Sequence, residues 1–322
     1  MEPSEEIGGA TSLVVEASEA GMRLDVFLAR RQIVPSAGAA RRAVASGIVH
    51  VDGRGAKKGV RLQPGSVVEL AEGSGAAVVI EPTPGLELRV LYEDEAIVAV
   101  DKPAGIASHP LRAGDLPTVA SALVARFPEC AAASPDVREG GLGHRLDVAT
   151  SGVLLAARSR EVWHRLRETL ATVACEKIYL AEVDGDFPSA DELRAELVLP
   201  GPRPSSFVVT VPIGRQGRHG SKVKLAAGRQ PLPARTEVTL LETRPGGALV
   251  EARLARGRAH QVRAHLAYLG IPVRGDATYG HVDDAAEAGL HLHAWVVSFL
   301  HPITAQPLRI EAPLPTWARR GG

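Results

Sequence analysis

The stretch GLGHRLDVATSG, Gly141 to Gly152, runs straight into VLLAA, Val153 to Ala157. The short uninterrupted apolar run predicts a buried strand. Just ahead of it, His144, Arg145 and Asp147 fall within four positions between glycine-flanked turns, and Thr150-Ser151-Gly152 follows. Charge at the mouth of a buried strand is where a site is expected. A salt-bridged turn is the competing reading of the same residues.

Working outward, the whole chain bounds what such a site can be. It has 322 residues, 45% apolar and 23% charged, enough for a sizeable core and more than one domain. Lys and Arg number 37, as do Asp and Glu. A nucleic-acid role must therefore rest on local patches and not on a global basic surplus. No run approaches the ~18 apolar residues of a membrane span, and the acidic start MEPSEEIGG does not read as a signal peptide. Cys130 and Cys175 lack metal-ligand spacing, so a reduced, cytoplasmic protein is expected.

Residues 1–20 are small and acidic and read as a flexible tail or one loose strand. MRLDVFLARR sets Leu24, Phe27 and Leu28 at helical spacing. Pro35 breaks it, Ser36 is a candidate cap, and AGAARRAVASG predicts a second short helix stopped at Gly47. IVHVDG alternates and turns at Asp52-Gly53; VRLQPGSVVEL reads as two short strands around Pro64-Gly65. Residues 72–87 read as a linker with its lead-in. Beyond it, strands are expected around Leu91-Tyr92 and Ala96–Val100, an amphipathic helix over Thr118–Arg126, and a helix over Ser159–Leu170 capped by Ser159. In CEKIYLAEVDG the two-residue repeat puts Lys177 and Tyr179 on one face.

Pro200 to Arg235 carries Arg203, Arg215, Arg218, Lys222, Lys224, Arg229 and Arg235 with no acidic residue. Its glycines suggest an irregular basic segment that could clamp an RNA backbone. TEVTLLE and ALVEARLA are alternating strands about Pro245-Gly246-Gly247. A helix is expected over Ala259–Leu269 with Val262, Leu266 and Leu269 inward, then a tight return through Pro272, Gly275 and Asp276. LHAWVVSFLHP closes the pattern as a strand, and Pro313–Arg320 reads as a short tail.

Several chemistries lack their residues. His260 and His265 are five apart, which a helix does not bring onto one ligand face. No phosphate-binding glycine loop follows a strand, and no serine sits in a nucleophile elbow. What remains is one carboxylate, Asp147, with basic and aromatic support. Glycosidases of the usual kind need two carboxylates; a lone Asp suits nucleophilic or electrostatic work at a sugar–base bond.

HRLDxxTSG at 144–152 is similar to the signature of the RluA-like pseudouridine synthases, which isomerise uridine in RNA. DKPxGxxxHP at 101–110, KxYxA at 177–181 and GRxHQxRxHLxxxGxPxxGDxxYG at 257–280 resemble further segments of that family, in the same order. The segment from Ile213-Gly214-Arg215 to Arg229 matches it partially. Arg23-Leu24-Asp25, Leu28 and Gly47–Gly53 resemble the S4 domain, a small RNA-binding module. Two departures there are Ala37-Gly38 after Ser36 and Asp52 in place of the usual Asn; inside the main signature, Val148-Ala149 replaces a polar pair.

The resemblance implies an α+β protein: a mixed, mostly antiparallel catalytic sheet over 88–316, and a small α/β S4-like domain over 21–71, with a C-terminal tail at 317–322. It implies an RNA pseudouridine synthase acting without cofactor or metal on RNA, ribosomal before transfer RNA, as a monomer. Asp147 would be the catalytic residue, Arg263 its partner keeping it charged, and Tyr179 would pack against the flipped base. Arg145 would help fill the space the nucleotide leaves, with His144 a local hydrogen-bonding residue. Arg41, Arg42, Lys57 and Lys58 in the S4-like unit, and Arg215, Lys222 and Lys224 in the basic segment, would meet RNA phosphate. Lys102 would meet phosphate or a carboxylate. A non-catalytic RNA-binding or ribosome-assembly factor and an RNA N-glycosidase are the rival readings.

Overall fold

A computed structural model describes residues 11–31, 33–34, 37–45, 47–57, 59–70, 80–110, 115–189, 198–215, 223–225, 229–280 and 289–319. The chain divides into two compact units: Met1–Val79 with Pro135–Val137, and Ile80–Ser134 with Arg138–Gly322.

In the first unit, helices Leu24–Arg30 and Ala37–Ala45 pack on a four-stranded sheet. Its strand order is Thr11–Val14, Val67–Leu70, Val49–Val51, Arg54–Gly55. Leu24, Phe27, Leu28, Ala40, Val49 and Val68 form its centre, the spacing expected of one helical face against alternate strand residues. Two expectations are corrected. Residues 11–20 are not a tail: Thr11–Val14 pairs antiparallel with Val67–Leu70, Val15 is buried, and Arg31 bonds Glu19. The pairing satisfies a strand edge that would otherwise be open. Only one strand forms around Pro64-Gly65, because Arg61 makes just an isolated bridge to Arg23. The proposed Ser36 cap lies outside the described residues.

The second unit is built on a ten-stranded sheet. Its path runs Arg89–Glu93, Ile97–Lys102, Ser151–Ala157, Leu292–Leu300, Glu176–Asp184, Gly247–Leu254, Thr236–Arg244, Ser206–Val209, Val198–Pro200, with Pro307–Glu311 joined to Leu292–Leu300. Every pairing is antiparallel except that of Ser151–Ala157 with Leu292–Leu300. The VLLAA run is a central strand because both of its faces are covered. Leu154 and Ala156 pack with Leu123 and Phe127 on one side; Val153, Leu155 and Ala157 pack with Val162 and Leu166 on the other. Burying a Leu or Val side chain contributes about 1.5–3 kcal/mol, so this strand anchors the segment before it. Among the described residues no helix is long and apolar enough to cross a membrane.

Ser159 caps Arg160–Leu170 by accepting from Val162 N at 3.3 Å, and Thr118 caps Val119–Arg126 by accepting from Ser121 N at 3.1 Å. The latter helix is not amphipathic: Val119 to Val124 are all buried, since sheet and loops enclose it. Part of the proposed linker also belongs to this unit. Ile80 is core, and Thr83 N donates to Ser121 O at 3.1 Å. Nor are residues 317–319 a free tail. The Trp317 ring stacks on His291 at 5.0 Å, Arg244 donates to the Trp317 carbonyl, and Ala318 is buried. Where it is described, the basic segment is an ordered three-stranded sheet of Val223–Leu225, Ile213–Arg215 and Arg229–Leu232.

Gly152 shows why the signature ends in glycine. Its φ is +111°, and a Cβ there would lie 2.7 Å from the carbonyl carbon and 2.8 Å from the nitrogen of Ala294. These are backbone atoms of the parallel partner strand and cannot swing aside. Gly152→Ala should lower unfolding stability by roughly 3 kcal/mol or more, combining backbone strain with overpacking. Urea denaturation checks it; a midpoint unchanged from the parent would show that the strands can separate at no cost.

Candidate active site

The signature loop is tied down from below. Ser108 Oγ donates to Leu146 O at 2.8 Å and accepts from Leu146 N at 3.1 Å. Lys102 meets neither phosphate nor a carboxylate. It is fully buried, and its ammonium donates to the carbonyls of Pro103, Val148 and Thr150 at 2.9, 2.9 and 2.7 Å. Burial lowers its pKa to about 8, opposed by the Asp147 charge. Two of its three acceptors, Val148 and Thr150, follow closely after Asp147, so Lys102 fixes the loop that carries this carboxylate. Lys102→Met should cut turnover roughly ten- to a hundredfold through misplacement of Asp147, with RNA affinity unchanged. Single-turnover rates beside filter binding test this; a matched loss of affinity would mean that Lys102 serves binding instead.

Asp147 remains partly exposed, at 28% of its side chain. Arg263 Nη1 donates to Asp147 Oδ2 at 2.9 Å. The rest of that guanidinium is spent on Asp276: Nε to Oδ2 at 2.7 Å and Nη2 to Oδ1 at 2.6 Å. Asp276 is wholly buried and also accepts from Thr278 N and Tyr279 N at 2.9 and 3.1 Å. Burial alone would push the Asp276 carboxyl up; its bonds to Arg263 outweigh this and hold it below the usual range. Burial likewise opposes the Arg263 charge, yet the bonds to Asp276 and Asp147 raise its pKa above the ordinary arginine value. A bidentate fork fixes the plane of the guanidinium. Asp276 thus aims Arg263, and Arg263 presents its remaining Nη1 to Asp147.

These groups open into a cleft of about 650 Å³, within the usual range for a small-molecule site. Its wall includes Asp147, Tyr179, Arg145 and His260, and the cations Arg167, Lys177, Arg256, Arg258 and Arg263. Among the described residues Asp147 is the only carboxylate in that wall. The cleft is therefore positive around one acid, which favours a polyanion. Burial, and then the Asp147 charge, raise the Tyr179 hydroxyl pKa, so it stays protonated. His144 is a structural acceptor: Leu155 N donates to its Nε2 at 3.2 Å, and burial drops its pKa to about 3.

The expected cleft residues Asp147, Tyr179, Arg263 and Arg145 lie around one cavity. Among the S4-like candidates, Lys57 is exposed, and Arg41 is exposed with its Nε 3.7 Å from Asp25. The side chains of Arg42, Arg215 and Lys224, and all of Lys58 and Lys222, lie outside the described residues. Arg203 turns away from any phosphate role, paired with Glu237 at 3.0 Å and Glu251 at 2.7 Å. Sequence reasoning missed Asp276 as the anchor of Arg263, and Arg167, Arg256 and Arg258 as cleft cations. The arginine–acid spacing of thirteen residues carries no helical or strand period, so only the loop before Gly275 brings them together. The helix is also shorter than expected: it spans Gln261–Tyr268, with His260 as a left-handed N-cap.

Human RNA pseudouridylate synthase domain containing 1 superposes with a TM-score of 0.55, covering 73% of this chain and 86% of that one at 24% identity, and so shares the fold. The family model described as RNA pseudouridylate synthase matches residues 96–268, and that of the S4 domain residues 22–68. Ribosomal large subunit pseudouridine synthase D of Xanthomonas campestris pv. campestris is 32% identical over 317 residues, 94% of this chain and 88% of that one. The synthase D of Nitrosomonas europaea is 30% identical over 322 residues, 97% and 87% of the two chains. The chain belongs to the RluA-like family of RNA pseudouridine synthases, with an N-terminal S4 domain. It is an isomerase of uridine in RNA.

Proposed function

We propose that this enzyme modifies ribosomal RNA in the cytoplasm, as a monomer, with Asp147, Arg263 and Tyr179 as its reaction centre. The relatives' names supply the RNA class. The residue roles rest on one observation: a half-open carboxylate, held by a buried Asp276–Arg263 fork, is the sole acid among the described residues of a cleft whose charged groups are otherwise cationic.

The chemistry follows from that arrangement. The uracil N1–C1′ bond breaks with Asp147 either bonded to the sugar or taking a proton beside C1′. The detached base turns over the Tyr179 ring. C5 then bonds to C1′ as the Asp147–sugar bond breaks or the borrowed proton returns to the sugar; the C5 proton leaves and N1 takes one up. Nothing is added and nothing is oxidised, so atoms balance without a cofactor. Arg145, exposed on the signature loop, would occupy the gap in the RNA stack. Extruding a base costs a few kcal/mol, least in unpaired RNA. Arg41, Arg42, Lys57 and Lys58 would add phosphate contacts from the S4 domain, and Arg215, Lys222 and Lys224 from the basic segment. Pseudouridine mapping of total RNA from cells with and without this gene tests the proposal. A ribosomal position lost on deletion and regained on complementation is expected; loss confined to transfer RNA would overturn the ribosomal target.

A further inference from the structure

His260 has no part in the scheme above, yet its backbone and ring are both held beside Asp147. Its backbone is left-handed, φ +55° and ψ 17°, a region that non-glycine residues enter rarely and at a cost. It precedes the helix carrying Arg263, so this turn swings the imidazole into the cleft. Its Nδ1 lies 3.1 Å from the Tyr279 hydroxyl, with the two rings edge to face. Tyr279 is itself fixed: Val223 N donates to its hydroxyl at 2.9 Å, and the Arg263 guanidinium lies 5.4 Å from its ring centre. The other ring nitrogen, Nε2, faces Asp147 Oδ1 at 3.8 Å. That is the oxygen Arg263 leaves free.

The protonation pattern follows from these partners. Burial lowers the His260 pKa, with Asp147 opposing, so the ring is neutral near pH 7 and carries one proton. A bare Nε2 lone pair aimed at a carboxylate oxygen would be repelled. The proton therefore sits on Nε2, leaving Nδ1 to accept from the Tyr279 hydroxyl. The result is an N–H donor and a carboxylate acceptor facing each other across a gap too long for a direct hydrogen bond. An oxygen set to one side of the line between them, at about 2.7–3.0 Å from each atom, can accept from Nε2–H and donate to Oδ1. A hydroxyl oxygen, of a ribose or of water, can do both.

We propose that His260 and Asp147 Oδ1 together form a hydroxyl site for the 2′-OH of the target ribose, the group next to C1′ that separates RNA from DNA. The inference rests on the proposed role of Asp147. It makes His260 a substrate-contacting residue and Tyr279 the residue that positions it.

His260→Asn is the selective variant. Asparagine tolerates the left-handed backbone, and its short amide can still meet Tyr279 while no longer reaching Oδ1. The probe is a hairpin carrying the mapped uridine, made with either uridine or 2′-deoxyuridine at that position. On the uridine hairpin His260→Asn should lose about tenfold in kcat/KM, at unchanged melting temperature. On the deoxyuridine hairpin, where the bridging group is gone, the parent should already be slow and His260→Asn should cost less than about twofold more. If both enzymes are inert on the deoxy hairpin, the same cycle is read from dissociation constants. Equal penalties on both hairpins, or none on either, would overturn the hydroxyl site. A parent that converts no uridine at all would instead overturn the proposed function.

Discussion

Asp147→Ala should fold, bind RNA and fail to isomerise it. Arg263 keeps its fork on Asp276, so no buried charge is stranded, and the lost carboxylate was partly solvated. Removing the one acid among the described residues of the cleft wall makes the cleft more positive. Affinity for RNA should then hold or rise slightly, with a larger share lost to salt. Turnover has no substitute group, because the remaining side chains of the wall are cationic, neutral or apolar. A loss on the order of 10⁴-fold, about 5.5 kcal/mol of barrier, is expected for removal of the proposed reacting group. Tritium at C5 of uracil is released when that carbon bonds to the sugar, so release from labelled RNA reports the step directly. Equal release by parent and variant would remove Asp147 from the chemistry.

Arg263→Met should be worse for the protein, since it strikes stability as well as activity. The Asp276 side chain is completely buried and keeps only two backbone donors in the variant. Breaking a buried pair by removing one partner costs about 3–5 kcal/mol. The pH dependence carries a defined sign. In the parent the Asp276 pKa lies below its unfolded value. Its contribution is fully present above the ordinary carboxylate pKa and is lost as pH falls through the lowered value. In the variant burial acts unopposed by arginine and favours the protonated acid. The stability gap between parent and variant should therefore be largest near pH 7 and narrow toward pH 4. Guanidinium unfolding at both values measures it; a gap independent of pH would show that Asp276 does not hold its charge through Arg263. Arg263→Lys should not restore function, because an ammonium cannot make the fork to Asp276 and reach Asp147 together.

The comparison of sequence and structure turns on range. VLLAA was legible as a buried strand, and Ser159 as a cap, because both depend on neighbours within a few positions. The tail reading fails for residues 11–20, where the strand alternative holds, and for residues 317–319, because their partners lie far along the chain: Val67–Leu70 for one, His291 and Arg244 for the other. The helix Val119–Arg126 looked amphipathic because its surroundings are supplied by sheet and loops from elsewhere.

Within the site the same division holds. By itself the sequence determined the chemical kinds: one acid in HRLDVATSG, an arginine on a helix, a tyrosine on a strand, and glycine where Ala294 leaves no room for a Cβ. Family resemblance could set Asp147 beside Arg263 across 116 positions, but not say what holds them there. Only the tertiary structure decided that Lys102 is a loop fastener, that Asp276 aims Arg263, and that His260 faces the free oxygen of Asp147. Local pattern constrains backbone shape over a turn or a strand, whereas burial, and with it the pairing and protonation of charge, depends on which distant segments close over each side chain.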